Sequence, residues 1–279
     1  RASGVEYEHS DRIRGLATGG IGVMHQVAQR TGLVDAINRH VDVLKVHLPY
    51  HESDHVLAIA YNVLCGGTCL QDIELRRQDE GYLDALGAQR IPDPTTAGDF
   101  CRRFGDADLE ALQGAINETR TRVWRAQPAE FFDDAIIEAD GTLAETTGQC
   151  KEGMDIAYNG VWGYHPLLVS LANTQEPLFL DNRSGNRPSS EGAAARFDQA
   201  AALCREAGFR QITFRGDTDF TQTPELDRWD AAGIRCVFGT DARANVVRRA
   251  DALPRAAWQA LTRRPRHPAA TAPRTRRAN

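Results

Sequence analysis

Ala135-Ile136-Ile137-Glu138-Ala139-Asp140 is a short apolar run that ends in a carboxylate and is followed by Gly141-Thr142. A second run of the same kind, Gln211-Ile212-Thr213-Phe214-Arg215-Gly216, ends at Asp217. Runs of this length rich in β-branched and aromatic residues and bounded by glycine read as strands. Each aspartate then stands at the end of its strand. Carboxylates at the ends of neighbouring strands can converge on one divalent ion, or on a pair about 3.5–4 Å apart, as in sites of phosphoryl transfer. Alone, each has a plainer role: Asp140 as a turn residue before glycine, Asp217 as a cap.

The sequence around the two runs sets the fold class. After Asp140 comes a polar stretch, then a strand at Met154 to Tyr158. Asn159-Gly160 follows, the pair favoured in a type I′ hairpin turn. Strands are expected at Pro166 to Ala172 and Glu176 to Asp181, and a helix capped by Ser189 or Ser190 runs to Ala207. The Asp217 strand, a helix at Pro224 to Ala232 and a strand at Ile234 to Phe238 complete the series. Three antiparallel strands, then helix, strand, helix and strand predict a mixed α/β sheet flanked by helices, the succession of a ribonuclease-H-like core.

Residues 1–128 read as a helical region, 129–250 as the sheet domain and 251–279 as a basic, poorly ordered tail. Helices are expected at Leu16 to His40, after an N-cap at Ser53, at Leu70 to Leu86, at Thr96 to Phe104, and at Asp106 to Trp124. On the last of these, Leu109, Leu112, Ile116 and Val123 form the apolar side. Such helices present a helix-turn-helix to DNA or form an ordinary bundle. Net charge is −5, yet residues 243–279 hold ten arginines and one acid, Asp251, for +9, which leaves −14 on the rest. A basic tail on an acidic body is a footprint of nucleic-acid contact; a solvated tail fits the same composition.

The chain has no run of about 18 apolar residues, which excludes a membrane-spanning helix, and the cytoplasm is the expected compartment. It begins Arg1-Ala2-Ser3, without an initiator methionine, as a fragment would. Six cysteines (65, 69, 101, 150, 204 and 236) form no C-x-x-C pair and read as reduced core residues rather than zinc ligands.

Several further pieces carry a resemblance. Ala139-Asp140-Gly141-Thr142, Asn159-Gly160-Val161-Trp162-Gly163-Tyr164-His165-Pro166-Leu167, Arg183-Ser184-Gly185-Asn186, Arg215-Gly216-Asp217-Thr218-Asp219-Phe220 and Val237-Phe238-Gly239 occur in that order. In order and spacing they resemble the catalytic region of insertion-sequence transposases of the DDE type, and Asp93-Pro94-Thr95-Thr96 resembles part of that family's amino-terminal region. The resemblance implies cleavage at transposon ends and strand transfer, with Mg²⁺ or Mn²⁺ as cofactor. It makes Asp140 and Asp217 the first two catalytic, metal-binding carboxylates. Implied partners are double-stranded DNA (the terminal inverted repeats and a target) and a second copy of the chain. Arg183, Arg215, Arg248 and Arg249 are the candidate phosphate contacts.

The family's third carboxylate is a glutamate on a helix beyond the last strand. After Asp217 this sequence has one glutamate, Glu225, eight residues on and ahead of that strand. The expectation is therefore a truncated transposase with two of three metal ligands and no efficient turnover, or a non-catalytic DNA-binding remnant. A haloacid-dehalogenase-type phosphatase also shares the Asp140-Gly141-Thr142 and Gly216-Asp217 pieces. Its nucleophile position is Glu138 here, and the extra methylene displaces the attacking oxygen by more than about 1 Å, at a cost of about 10²-fold. Tyr158, Trp162 and Tyr164 can stack on bases, but their place beside a turn favours the core. His165 is expected to make a structural hydrogen bond.

Overall fold

The computed structural model describes residues 18–148 and 151–260. They fall in two compact units, 1–239 and 240–279, each taken by itself. Cys150 and the tail beyond residue 260 lie outside the described residues.

In the first unit the helices come first: α1 (Ile21–Arg30), α2 (Leu33–His40), α3 (Glu52–Leu64), α4 (Ile73–Arg77), α5 (Glu80–Leu86), α6 (Pro94–Cys101) and α7 (Asp106–Trp124). The expected first helix is two, because Gly32 takes a left-handed conformation (φ 77°) between them. The expected third piece is broken into a 3₁₀ turn, α4 and α5, the last capped by Asp79 accepting from the Tyr82 amide at 3.1 Å. Ser53 is not the cap of α3. His51 occupies that position, and the Ser53 amide donates to Asn38 Oδ1 on α2 at 2.9 Å. α6 begins at Pro94 after Asp93, which accepts from the Thr96 amide at 2.9 Å. Proline suits this first turn because its missing amide proton has no partner there anyway.

The strands follow: β1 (Asp134–Gly141), β2 (Ala144–Glu145), β3 (Asp155–Ile156), β4 (Trp162–Tyr164), β5 (Leu167–Leu171) and β6 (Glu176–Asp181). After α8 (Ala193–Ala207) come β7 (Gln211–Gly216), α9 (Leu226–Ala231) and β8 (Ile234–Phe238). A five-stranded sheet has the order β6-β5-β1-β7-β8. β1, β5 and β6 are antiparallel, while β7 and β8 run parallel to β1. This is the mixed sheet of a ribonuclease-H-like core. No serine caps α8; Gly192, with φ 78°, precedes it.

Strand alternation sorts the sheet into two faces. Ala135, Ile137 and Ala139 of β1 and Ile212 and Phe214 of β7 are buried with α8. Small residues on α8 (Ala193, Ala200, Ala201, Cys204) let it lie close, and Phe197 packs on Phe214 with ring centroids 4.6 Å apart. Trp229 of α9 meets Phe214 edge-on at 4.9 Å. The other face carries Ile136, Glu138 and Asp140 beside Thr213, Arg215 and Val237.

Between β1 and β5 the chain forms a small sheet of order β2-β4-β3. Its hairpin is not of type I′: Gly160 alone has positive φ (84°), and its amide donates to the Ala157 carbonyl at 2.9 Å. That is the longer loop in which an ordinary turn is closed by one left-handed glycine.

α7 has the expected bounds, but of its expected apolar side only Leu112 packs against a core, the one around Ala36, Ile37 and Ala115. Leu109, Ile116 and Val123 are exposed, whereas Ala115, Asn117, Thr119, Thr121 and Trp124 are buried. The reason is strand β6, the free edge of the sheet, whose unpaired backbone groups need partners. Gln113 Oε1 accepts from the Leu180 amide at 2.7 Å, and Asn117 Nδ2 donates to the Leu178 carbonyl at 3.1 Å. Arg120 donates to the Pro177 carbonyl at 2.5 Å and to Glu176 at 2.9 Å, and Trp124 Nε1 donates to Glu176 at 3.1 Å. Residues at i, i+4, i+7 and i+11 thus form one polar stripe along the strand edge.

Arg120→Ala leaves Glu176 beside the edge without its cation. Because Glu176 is partly exposed, the expected loss is about 2–3 kcal/mol of unfolding free energy, below the range for a fully buried pair. Ile116→Ala is expected to cost less than about 1 kcal/mol. Urea denaturation of both variants checks this; equal losses would mean that α7 is held by its apolar stripe instead.

Candidate active site

β1 and β7 are paired from Asp134↔Gln211 to Glu138↔Arg215. The pairing stops there, and Asp140 and Asp217 each lie two residues beyond its last pair, at the corresponding ends of the two strands. Both belong to the face away from α8, by the same alternation that buries Ile137 and Phe214. Both are exposed.

Each carboxylate is held by one oxygen. Asp140 Oδ1 accepts from the Gly141 amide at 2.8 Å, and Asp217 Oδ1 accepts from the Asp219 amide at 2.9 Å as it caps the 3₁₀ turn Thr218–Phe220. The second oxygen of each has no partner among the described residues, and no cation pairs with either. The nearest arginine in the register, Arg215, is ion-paired with Glu138, which raises its already high pKa. Exposed carboxylates at the ends of paired strands, with unpaired oxygens and no compensating cation, are donors suited to a divalent metal.

A wall beside this strand end is built by two of the quoted motifs. His165 and Arg183 are joined through the His165 amide and the Arg183 carbonyl at 2.8 Å, and the Gly185 amide donates to the Gly163 carbonyl at 3.1 Å. A side chain at Gly185 would lie 2.4 Å from the Asp155 carbonyl oxygen, so the close approach requires glycine. Asn186 Nδ2 donates to Asp155 at 2.6 Å.

His165 is buried, and its Nδ1 lies 3.0 Å from the Arg187 carbonyl. A carbonyl only accepts, so in the neutral ring Nδ1 carries the proton and Nε2 the lone pair. Nε2 has no hydrogen-bond partner among the described residues. It faces Gly141, where an added Cβ would meet it at 2.6 Å. The structural hydrogen bond expected of His165 is present, and its free nitrogen adjoins the residue next to Asp140. His165 and Asp219, a near neighbour of each aspartate in turn, line one cavity of about 340 Å³ with Tyr158, Asn186 and Ser190.

The remaining predicted residues are spread out. Arg183 donates to the carbonyls of His165 (3.0 Å), Pro188 (3.2 Å), Ser189 (3.2 Å) and Glu191 (2.6 Å), and burial lowers its pKa. Arg248 and Arg249 are exposed on α10 (Ala244–Asp251), in the second unit. Tyr158 and Trp162 are not core: they are 89% and 52% exposed, projecting from the β3–β4 hairpin. The cysteines are likewise less buried than expected, with Cys69 and Cys101 exposed and Cys204 buried. Glu225 sits in the 3₁₀ turn Thr223–Glu225 ahead of α9, where it pairs with Arg228 at 2.7 Å.

Residues 16–275 match the family described as Transposase DDE domain group 1. The chain belongs to that family. No curated protein matches it. Among solved structures, a chain of "Cryo-EM structure of piggyBac transposase synaptic complex with hairpin DNA (SNHP)" is similar, with 11% identity and a TM-score of 0.35 over 88% of this chain and 48% of that one. This chain therefore spans about half the length of that transposase chain.

Gly141→Ala drives a methyl group into His165. The substitution is expected to cost about 1–3 kcal/mol in thermal or urea unfolding, and much less in a His165→Ala background. Additive costs in that double-mutant cycle would show that the two residues do not touch.

Proposed function

We propose that this chain is the DNA-binding and two-carboxylate part of an insertion-sequence transposase. The observation that supports it best is the parallel β1–β7 pairing in a chain of the DDE family, with Asp140 and Asp217 each two residues beyond its last pair, Glu138 opposite Arg215. Asp140 and Asp217 are the residues that would hold Mg²⁺ or Mn²⁺. When bound, such ions polarise the attacking water or 3′-hydroxyl and stabilise the leaving oxygen. The chain's own residues orient that chemistry: the Gly141 and Asp219 amides fix the two carboxylates, and the His165 lone pair borders the cavity next to them.

Among the described residues, the only group of three metal-ligating side chains whose donor atoms lie within 4.8 Å of one another is elsewhere, on the α2–α3 loop. No such group among the described residues includes Asp140 or Asp217. We infer that these 279 residues bind transposon-end DNA and metal but do not turn over efficiently by themselves. The division into a helical DNA-binding region (1–128), a catalytic region (129–250) and a basic tail (251–279) belongs to the same proposal. So do a homodimer on DNA and a cytoplasmic location; no helix among the described residues is long and apolar enough to cross a membrane. Arg248, Arg249 and the following arginines would neutralise phosphates, and Tyr158 and Trp162 are placed to stack on exposed bases. Arg183 and Arg215 would contact phosphate only in competition with the partners they already hold.

Gel-shift titration with the terminal inverted repeats of the element tests binding. Binding is expected, with a log–log salt slope reduced by roughly 2 on replacing Arg248 and Arg249 with Ala, about one unit for each phosphate left without its arginine. An unchanged slope would remove these arginines from the interface. A nicking assay on the same ends in Mn²⁺ is expected to show no multiple-turnover cleavage. Sustained cleavage that survives Asp140→Asn would place the chemistry elsewhere.

A further inference from the structure

The loop between α2 and α3 gathers a second set of metal-ligating side chains, independent of Asp140 and Asp217. Donor atoms of Asp42, His47 and Glu52 all lie within 4.8 Å of one another. Ligands of a tetrahedral ion bound at about 2.1 Å sit about 3.4 Å apart, so small side-chain adjustments close the site. Glu52 is the first residue of α3 and is 1% exposed. Its Oε1 takes both available donors, the Leu44 amide at 3.1 Å and His47 Nε2 at 3.2 Å. Oε2 has no partner among the described residues.

Charge balance points the same way. Two carboxylates share this space, one of them withdrawn from water, and among the described residues the only side chain bonded to either is the His47 imidazole. The adjacent Arg103 donates to the Val43 carbonyl at 3.4 Å rather than to Asp42, and Lys45 forms no ion pair with it. Asp42 has no partner at all among the described residues. His51 stacks on His47 with centroids 5.6 Å apart, which orients the imidazole. A buried carboxylate oxygen left without a partner is costly unless it coordinates a metal.

We propose that Asp42, His47 and Glu52 bind Zn²⁺, with water in the fourth position, and that the ion pins the loop to the first turn of α3. One imidazole with two carboxylates is a zinc donor set, whereas Mg²⁺ favours oxygen ligands alone.

The test uses the full chain carrying Asp140→Asn and Asp217→Asn, so that zinc bound at the strand ends does not contribute. After incubation with Zn²⁺ and gel filtration, zinc content is compared with and without Asp42→Asn and His47→Gln. The loop substitutions are expected to remove one equivalent. In the parent, free zinc at about 100-fold over its dissociation constant is expected to raise the thermal midpoint by about 5 °C or more, and this shift should vanish in the variant. Equal zinc content in the two proteins, or a midpoint shift indifferent to the loop substitutions, would overturn the proposal. Should the double loop variant fail to fold by circular dichroism, Asp42→Asn alone gives the same readouts, since Asp42 supports no other contact.

Discussion

The parallel pairing of β1 with β7 is the constraint on which the candidate active site depends. Asp134 opposite Gln211 and Glu138 opposite Arg215 fix the register, and the strand period of two does the rest. A slip of one residue would turn Asp140 toward α8, where Phe197 and Trp229 pack and a carboxylate could not be hydrated. Ile137 and Phe214 are buried under α8, and the aspartates that follow them, Asp140 and Asp217, are exposed. Arg215 strengthens the arrangement by pairing with Glu138 one step before the site. That pairing also keeps its charge away from the two aspartates.

A second constraint joins the amino-terminal helices to this sheet. β6 has no neighbouring strand on its outer side, and α7 supplies hydrogen-bond partners from Gln113, Asn117, Arg120 and Trp124. α2 packs on another side of α7 through Ala36, Ile37 and Ala115. A helix placed this way is part sheet edge and part bundle. Near the site, the segments around Gly163 and Gly185 are backbone partners, which gives a physical reason for the two motifs to occur together in one chain.

Much of the sheet was legible in the sequence, because its strands are short apolar runs closed by glycine or aspartate. β6 and β8 and the long helix α7 have the bounds read from the residues. The misreadings share one cause. Apolar periodicity assigned Leu109, Ile116 and Val123 to the buried side of α7, but the demand of an unpaired strand edge outweighed it, and nothing local to α7 announces that demand. Tyr158 and Trp162 looked like core because aromatic strand residues usually are; on the short β3–β4 hairpin, outside the main sheet, both are exposed. The pairing of β1 with β7 was readable only as a possibility, since register is a relation between segments 77 residues apart. The free nitrogen of His165 was not readable at all, as it depends on a carbonyl 22 residues away.

The most direct test of the central claim is anomalous diffraction from crystals of the chain grown with Mn²⁺. The account predicts a manganese peak within bonding distance of both Asp140 and Asp217, absent from the Asp140→Asn protein. Crystals with the two carboxylates splayed apart, or with manganese bound only at other residues, would contradict it.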